Sequence, residues 1–209
     1  MKERHRQRVE AYDSVILAAT HAFLEAVIFL TMGVVYRLLG IPRERITLRH
    51  AETYLVTTTV LLISLVLLAQ FFGFLGWPLI VLGNLRVLQI ICLNLNTLLF
   101  DIAPVSDSMT AVRRARWHFV AIGFSFLDTV LIFGFMYQFF DTRFRLLSER
   151  LPGFLDYLYH ALITIATIGY GDIHPVTTAG RILTMYEAGV ALLFLVFFVS
   201  GALARLHRS

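Results

Sequence analysis

Six consecutive residues, Thr167-Ile168-Gly169-Tyr170-Gly171-Asp172, have types and spacing suited to chemistry, and that chemistry is non-covalent. Glycines at alternate positions let a chain of L-residues adopt positive φ cheaply. That backbone can turn successive carbonyls to one side. Such carbonyls can replace the water around a cation without a fixed charge that would trap it. Thr167 adds a hydroxyl at one end and Asp172 a carboxylate at the other, where it would draw cations in. No nucleophile–base constellation accompanies the stretch, so enzymatic activity is not expected. The lone Cys92 lies in an apolar run and no zinc-ligand spacing occurs, so no disulfide, metal centre or cofactor is expected beyond a permeant ion.

The surrounding elements must hold this backbone at membrane depth. Hydrophobic residues make up 58% of the 209 and charged residues 15%, with mean hydropathy +0.75. Those values exclude an ordinary soluble domain. Five apolar segments, 14–39, 53–74, 77–100, 117–140 and 178–206, are long enough to cross a bilayer. A sixth, 154–166, would rise only about 20 Å as a helix against a hydrocarbon core of about 30 Å. It must re-enter, and non-helical backbone following it at membrane depth must line a wet path or be buried in protein. The basic start, Met1-Lys2-Glu3-Arg4-His5-Arg6, resembles the opening of a signal peptide. The apolar stretch behind it is too long and carries His21 and Glu25, so it is expected to be retained. The net charge of +4 gathers at the ends of apolar runs and reads as a topology signal, with no nucleic-acid footprint.

The run Leu158-Tyr159-His160-Ala161-Leu162-Ile163-Thr164-Ile165-Ala166-Thr167-Ile168-Gly169-Tyr170-Gly171-Asp172-Ile173-His174-Pro175, followed by Gly180-Arg181, resembles the pore loop of the potassium channel superfamily. The likeness covers Trp117 to about Arg205. It implies an all-α integral membrane protein with a tetrameric pore fold of two spans plus a re-entrant pore helix and filter. A helical membrane region of about three segments, residues 1–112, would precede a pore domain at 113–209. In that domain the outer helix is 117–140, the pore helix 154–166, the filter 167–172 and the inner helix 178–206. The resemblance further implies passive K⁺ conduction by a homotetramer in the plasma or inner membrane, in contact with lipid. K⁺ would be held by the carbonyls of Thr167, Ile168, Gly169 and Tyr170 and by the Thr167 hydroxyl, with Gly171 and Asp172 completing the filter.

Several flanking residues are candidates for support and gating. Tyr159 and His160 lie on the pore helix, and His160 stands where the family often carries an aromatic that braces the filter tyrosine. Ala166 replaces a common threonine, and Ile163 a glutamate that in some members pairs with the filter aspartate, so another group must hold Asp172. Glu187 is an ionisable residue in the inner span, a functional candidate by default. Helical spacing turns it off the face of Leu192, Leu195 and Val199, towards the pore helix, with His160 one candidate partner and a purely structural bond the alternative. His174 is either an external pH sensor or a solvated loop histidine. Gly189 and Gly201 are hinge candidates or packing positions, and Phe197, Phe198 and Val199 are a candidate constriction or a packed stripe.

Segment 77–100 has only Arg86 among its polar residues Asn84, Gln89, Asn94 and Asn96, so no voltage sensor is expected, and the polar groups should bond across helices. With Asp172 outside, Arg113, Arg114 and Arg116 fall inside, as do Arg43, Arg45 and Arg49. If 14–39 also spans, Lys2, Arg4, Arg6 and Arg8 lie outside and break the positive-inside rule. Either they do so, or the segment lies in the interface or re-enters. Three other functions remain open: a non-selective cation channel, a potassium uptake subunit, and a non-conducting sensor or adaptor.

Overall fold

The computed structural model describes residues 15–41, 47–100, 111–140, 144–146 and 151–206. Element order follows the apolar pattern. Helix α1 covers Val15–Leu38 and contains a π turn at Phe29–Gly33. Helix α2 is Leu48–Ala69, and a 3₁₀ turn at Gly73–Leu75 leads into α3, Gly76–Phe100. Helix α4 is Ala111–Phe139, α5 Phe154–Ile165 and α6 Thr178–Leu206. Five of these are long and apolar enough to cross a membrane, and α5 is the short one. The chain is a multi-pass membrane protein.

The start of α2 differs from the apolar segment by five residues. Thr47 caps it: the Thr47 N–H donates to His50 Nδ1 at 3.0 Å, and the hydroxyl lies 2.9 Å from the same nitrogen. Capping fixes where a helix begins even when its first turn is polar, as Arg49, His50 and Glu52 make this one. A two-stranded antiparallel ladder joins β1, Phe144–Leu146, to β2, Ile173–Pro175. Neither strand is evident from the apolar pattern.

The core lies where α4 is wrapped by α5 and α6 on one side and by α2 and α3 on the other. Ile122, Phe133 and Tyr137 of α4 are fully buried, with Val87 and Ile90 of α3 and Phe194 and Phe197 of α6 packed in the same cluster. Close approach sets the spacing at two points. A Cβ on Gly134 would meet the Leu158 side chain at 2.5 Å and its Cα at 3.2 Å, so only glycine lets α5 sit this near α4. A Cβ on Gly76 would meet the Phe139 ring at 2.1 Å.

Helix α1 packs mainly against α3. Glu25 accepts from Asn96 Nδ2 at 3.4 Å, near the end of α3, and Tyr36 donates to the His50 carbonyl at 2.8 Å, near the start of α2. Met32 and Tyr36 also pack with Ala51, Tyr54 and Trp117. All these partners lie at the same end of the bundle. The basic runs at 1–8 and 43–45 lie outside the described residues, as do the side chains of Arg113, Arg114, Arg116, Phe198 and Arg205.

Candidate ion-conduction site

The short helix α5 is built to stop at membrane depth. It starts where the Gly153 N–H donates to Asp156 Oδ2 at 2.7 Å, and it ends at Ala166. There the backbone bends back on the helix. The Thr167 N–H donates to Thr164 O at 3.0 Å, and the Ile168 and Gly169 N–H groups both donate to Ile163 O, at 2.8 and 3.1 Å. In a trans peptide the carbonyl points opposite to the N–H of the next residue. The carbonyls of Ala166, Thr167 and Ile168 therefore point away from the helix.

Left-handed backbone then alternates: φ is +57° at Thr167, +56° at Gly169 and +76° at Gly171. Alternating hand lines N–H groups on one edge of the strand and carbonyls on the other. The glycines were expected to supply this geometry. Thr167 was not, since a β-branched residue rarely adopts positive φ. Residues 167–171 are exposed in the single chain, Tyr170 to 69%.

Asp172 closes the strand. Tyr159 Oη donates to Asp172 Oδ2 at 2.8 Å, and this bond raises the Tyr159 pKa. Tyr159 thus bonds the carboxylate for which Ile163 offers no polar partner. Beyond Asp172 the ladder pins the chain, with Ile173 opposite Leu146 and Phe144 opposite Pro175. His174 is exposed on this ladder.

Behind the strand lies an aromatic and polar layer. His160 packs edge-on against Phe144 and Tyr137, with ring centroids 4.7 and 5.1 Å apart, and its Nε2 lies 3.5 Å from Thr184 Oγ1. Burial lowers the His160 pKa to about 4, against opposing effects of the Ile173 backbone and Asp172. The imidazole is neutral and does not touch Tyr170 within one chain. Glu187 is fully buried, and its carboxylate accepts from Tyr137 Oη at 2.5 Å. This corrects the expected partner: Glu187 reaches the outer helix, and Tyr137 stands between it and His160. Tyr137 Oη also lies 3.0 Å from Thr184 Oγ1, so one cluster joins α4, α5 and α6.

Of the gating candidates, Gly189 is exposed in the interior of an unbroken α6, and Gly201 is helical with its surroundings outside the described residues. Phe197 is buried against Phe194, which makes it core. Leu192, Leu195 and Val199 form an exposed face, at 61%, 53% and 49%.

Residues 125–207 match the protein family described as "Ion channel". This region is similar to an ion channel pore domain over those residues. Its match falls on α4, α5, the strand and α6. The "Two-pore potassium channel 4" of Arabidopsis thaliana is 30% identical over 99 residues, 47% of this chain and 34% of that protein. The "Potassium channel K1" of Plasmodium berghei is 34% identical over 67 residues, 32% of this chain and 4% of that protein. The "Hyperpolarization-activated voltage-gated potassium channel" of Methanocaldococcus jannaschii is 36% identical over 62 residues, 30% of this chain and 26% of that protein. The chain therefore spans about a third or less of the length of these relatives. No solved structure matches it.

The sequence reading passed over Asp128, Thr59 and Tyr137. An aspartate inside an apolar span is a detectable signal. Tyr137 gives none, because its partner is 50 residues away.

Proposed function

We propose that the chain is one subunit of a potassium-selective channel in which four copies bring residues 167–172 together around a common axis. The observation that carries this reading is the backbone of 167–171: left-handed φ at Thr167, Gly169 and Gly171, the N–H groups of 167–169 tied back to α5, and the carbonyls of 166–168 turned away from it on an exposed edge. An exposed carbonyl edge on a single chain cannot surround an ion. Four such edges can, and the Thr167 hydroxyls would add a further ring. The exposed Tyr170, Leu155 and Met185, at 69%, 77% and 75%, supply apolar surface for neighbouring copies to cover.

On this reading residues 113–209 form the pore unit and 1–112 a flanking membrane region. Tyr159, His160 and Glu187 support the filter, and the face of Leu192, Leu195 and Val199 lines the cavity below it. With Asp172 facing outward in the cell membrane, the end of the bundle holding Trp117, Leu48 and Asn96 is cytoplasmic. The three potassium channels named above support K⁺ as the conducted ion.

The deciding experiment is reconstitution of purified protein in liposomes with K⁺ and Na⁺ gradients, alongside the mass of the detergent-solubilised assembly. The expected result is a particle of four chains with K⁺ flux well above Na⁺ flux. Equal fluxes would make it a non-selective cation channel. No flux from a correctly assembled particle would leave a sensor or adaptor.

A further inference from the structure

Asp128 and Tyr137 lie nine residues apart on α4. At about 100° per residue that is two and a half turns, so they occupy opposite faces. Tyr137 faces the pore cluster described above. Asp128, with no exposed surface, faces the flanking helices. Its Oδ1 accepts from Thr59 Oγ1 of α2 at 2.7 Å. Its Oδ2 accepts from Arg86 Nε of α3 at 3.0 Å and pairs with Nη2 at 2.9 Å.

A second layer holds Arg86. Its Nη1 donates to Gln89 Oε1 at 3.0 Å, Gln89 Nε2 donates to Tyr54 Oη at 2.8 Å, and the guanidinium sits 5.6 Å from the Tyr54 ring centroid. A charge at this depth is costly unless paired and hydrogen-bonded, and here it is both. None of these groups faces residues 167–172. A pore built from α4, α5 and α6 does not require the pair, but a pore tied to α2 and α3 does.

The pair also lies at a significant level. Two ring contacts between α4 and α6, Phe133 with Tyr186 at 5.1 Å and Phe126 with Phe194 at 6.0 Å, bracket both Asp128 and Gly189. Gly189 is the residue of α6 with the weakest helix propensity at that level, and a Cβ there would touch nothing within 4 Å. Helix α3 reaches α6 there too, where Tyr186 Oη donates to Asn84 Oδ1 at 3.3 Å.

We propose that the buried Arg86–Asp128 pair is the clamp through which helices α2 and α3 set how often the pore opens. The inference rests on the channel reading above. Arg86 and Asp128 are positioning residues: they hold α4, and α4 holds Tyr137, Glu187 and the straight α6. Because the two charges cancel, the clamp is not a voltage sensor.

The test is single-channel recording from reconstituted wild type, Arg86→Gln, Asp128→Asn and the charge swap Arg86→Asp with Asp128→Arg. Each single variant should shift open probability by about fivefold or more, the lower end of ordinary coupling. Single-channel conductance, K⁺ over Na⁺ preference and the steepness of voltage dependence should stay unchanged, and the swap should return open probability towards wild type. An assembled single variant with wild-type open probability overturns the clamp. So does a change in conductance or selectivity, which would place the pair in the filter's support, and so does a flattened voltage dependence, which would make Arg86 a gating charge. Should the single variants fail to assemble, Arg86→Lys and Thr59→Val decide. They keep the charges but weaken the geometry, and a shifted open probability supports the clamp while an unshifted one overturns it. Wild type that conducts nothing would instead fail the channel reading itself.

Discussion

Tyr159 donates its phenolic hydrogen to Asp172 across 2.8 Å, joining the middle of α5 to the residue that closes the 167–171 stretch. Asp172 Oδ2 is the accepting oxygen. A hydrogen bond to a charged group contributes about 1.5–3 kcal/mol. Tyr159→Phe keeps the ring and removes only the donor. The expected outcome is an assembled channel whose current decays faster under sustained K⁺ flux, with initial selectivity retained. Current time courses from the two proteins check this. Identical decay would mean that the bond does not hold the filter.

Thr167, Gly169 and Gly171 share left-handed φ, yet only two of them are glycine. The left-handed region costs an L-residue about 1–2 kcal/mol, whatever space surrounds it. Gly171→Ala and Gly169→Ala should each place that cost in every proposed subunit and abolish selective K⁺ flux while the helices still form. Flux assays and helical circular dichroism on the same sample check both halves. A Gly171→Ala protein with wild-type K⁺ preference would sink the carbonyl-edge reading.

Local features were legible in the sequence and distant pairings were not. The length of α5 and the glycines after it depend on nothing beyond a few residues, so the re-entrant helix and the strand could be placed from spacing alone. The polar residues of α3 were expected to bond across helices, and Gln89 with Tyr54, Asn96 with Glu25 and Asn84 with Tyr186 do so. The identity of each partner depends on packing that spacing does not encode. That is why Glu187 was turned towards His160 when Tyr137 of α4 holds it. The ladder of Phe144–Leu146 with Ile173–Pro175 escaped notice because three residues are too few to show alternation.

His160 sits in a pocket of Phe144, Tyr137 and Thr184, with Asp172 and His174 exerting opposite electrostatic effects on it. Its pKa of about 4 lies below the ordinary 6.5 because burial disfavours the charged ring. Between those two values the unfolded chain takes a proton that the folded one refuses. Stability is therefore full above about pH 6.5 and falls as the pH drops towards 4, by at most about tenfold in the unfolding constant per pH unit per histidine. Thermal denaturation of wild type and His160→Gln from pH 7.5 to 4.5 measures this. The variant should lose part of the acid sensitivity. Equal slopes would show that His160 is not the group responsible.

Helix α1 is long enough to span, and its first part packs against α3. Thr59, Arg86 and Asp128 meet at one level. Asn96, which bonds Glu25, lies ten residues beyond Arg86, about 15 Å along α3. His50, which bonds Tyr36, lies nine residues before Thr59, about 14 Å along α2 in the same direction. Glu25 and Tyr36 are eleven residues apart, about 16 Å of helix, yet their partners differ in depth by only about 1 Å. The stretch from Glu25 to Tyr36 is therefore expected to tilt strongly at the end of the bundle that holds Asn96 and His50. The positive-inside rule favours the cytoplasmic side for a segment as basic as Lys2, Arg4, Arg6 and Arg8. Phe23, Leu30 and Leu38 of α1 are exposed apolar groups available to lipid. An epitope tag before Lys2 should be reached by antibody in inside-out vesicles and be shielded in intact spheroplasts. Access from the outer side would mean that α1 crosses the bilayer and that the four basic residues violate the rule.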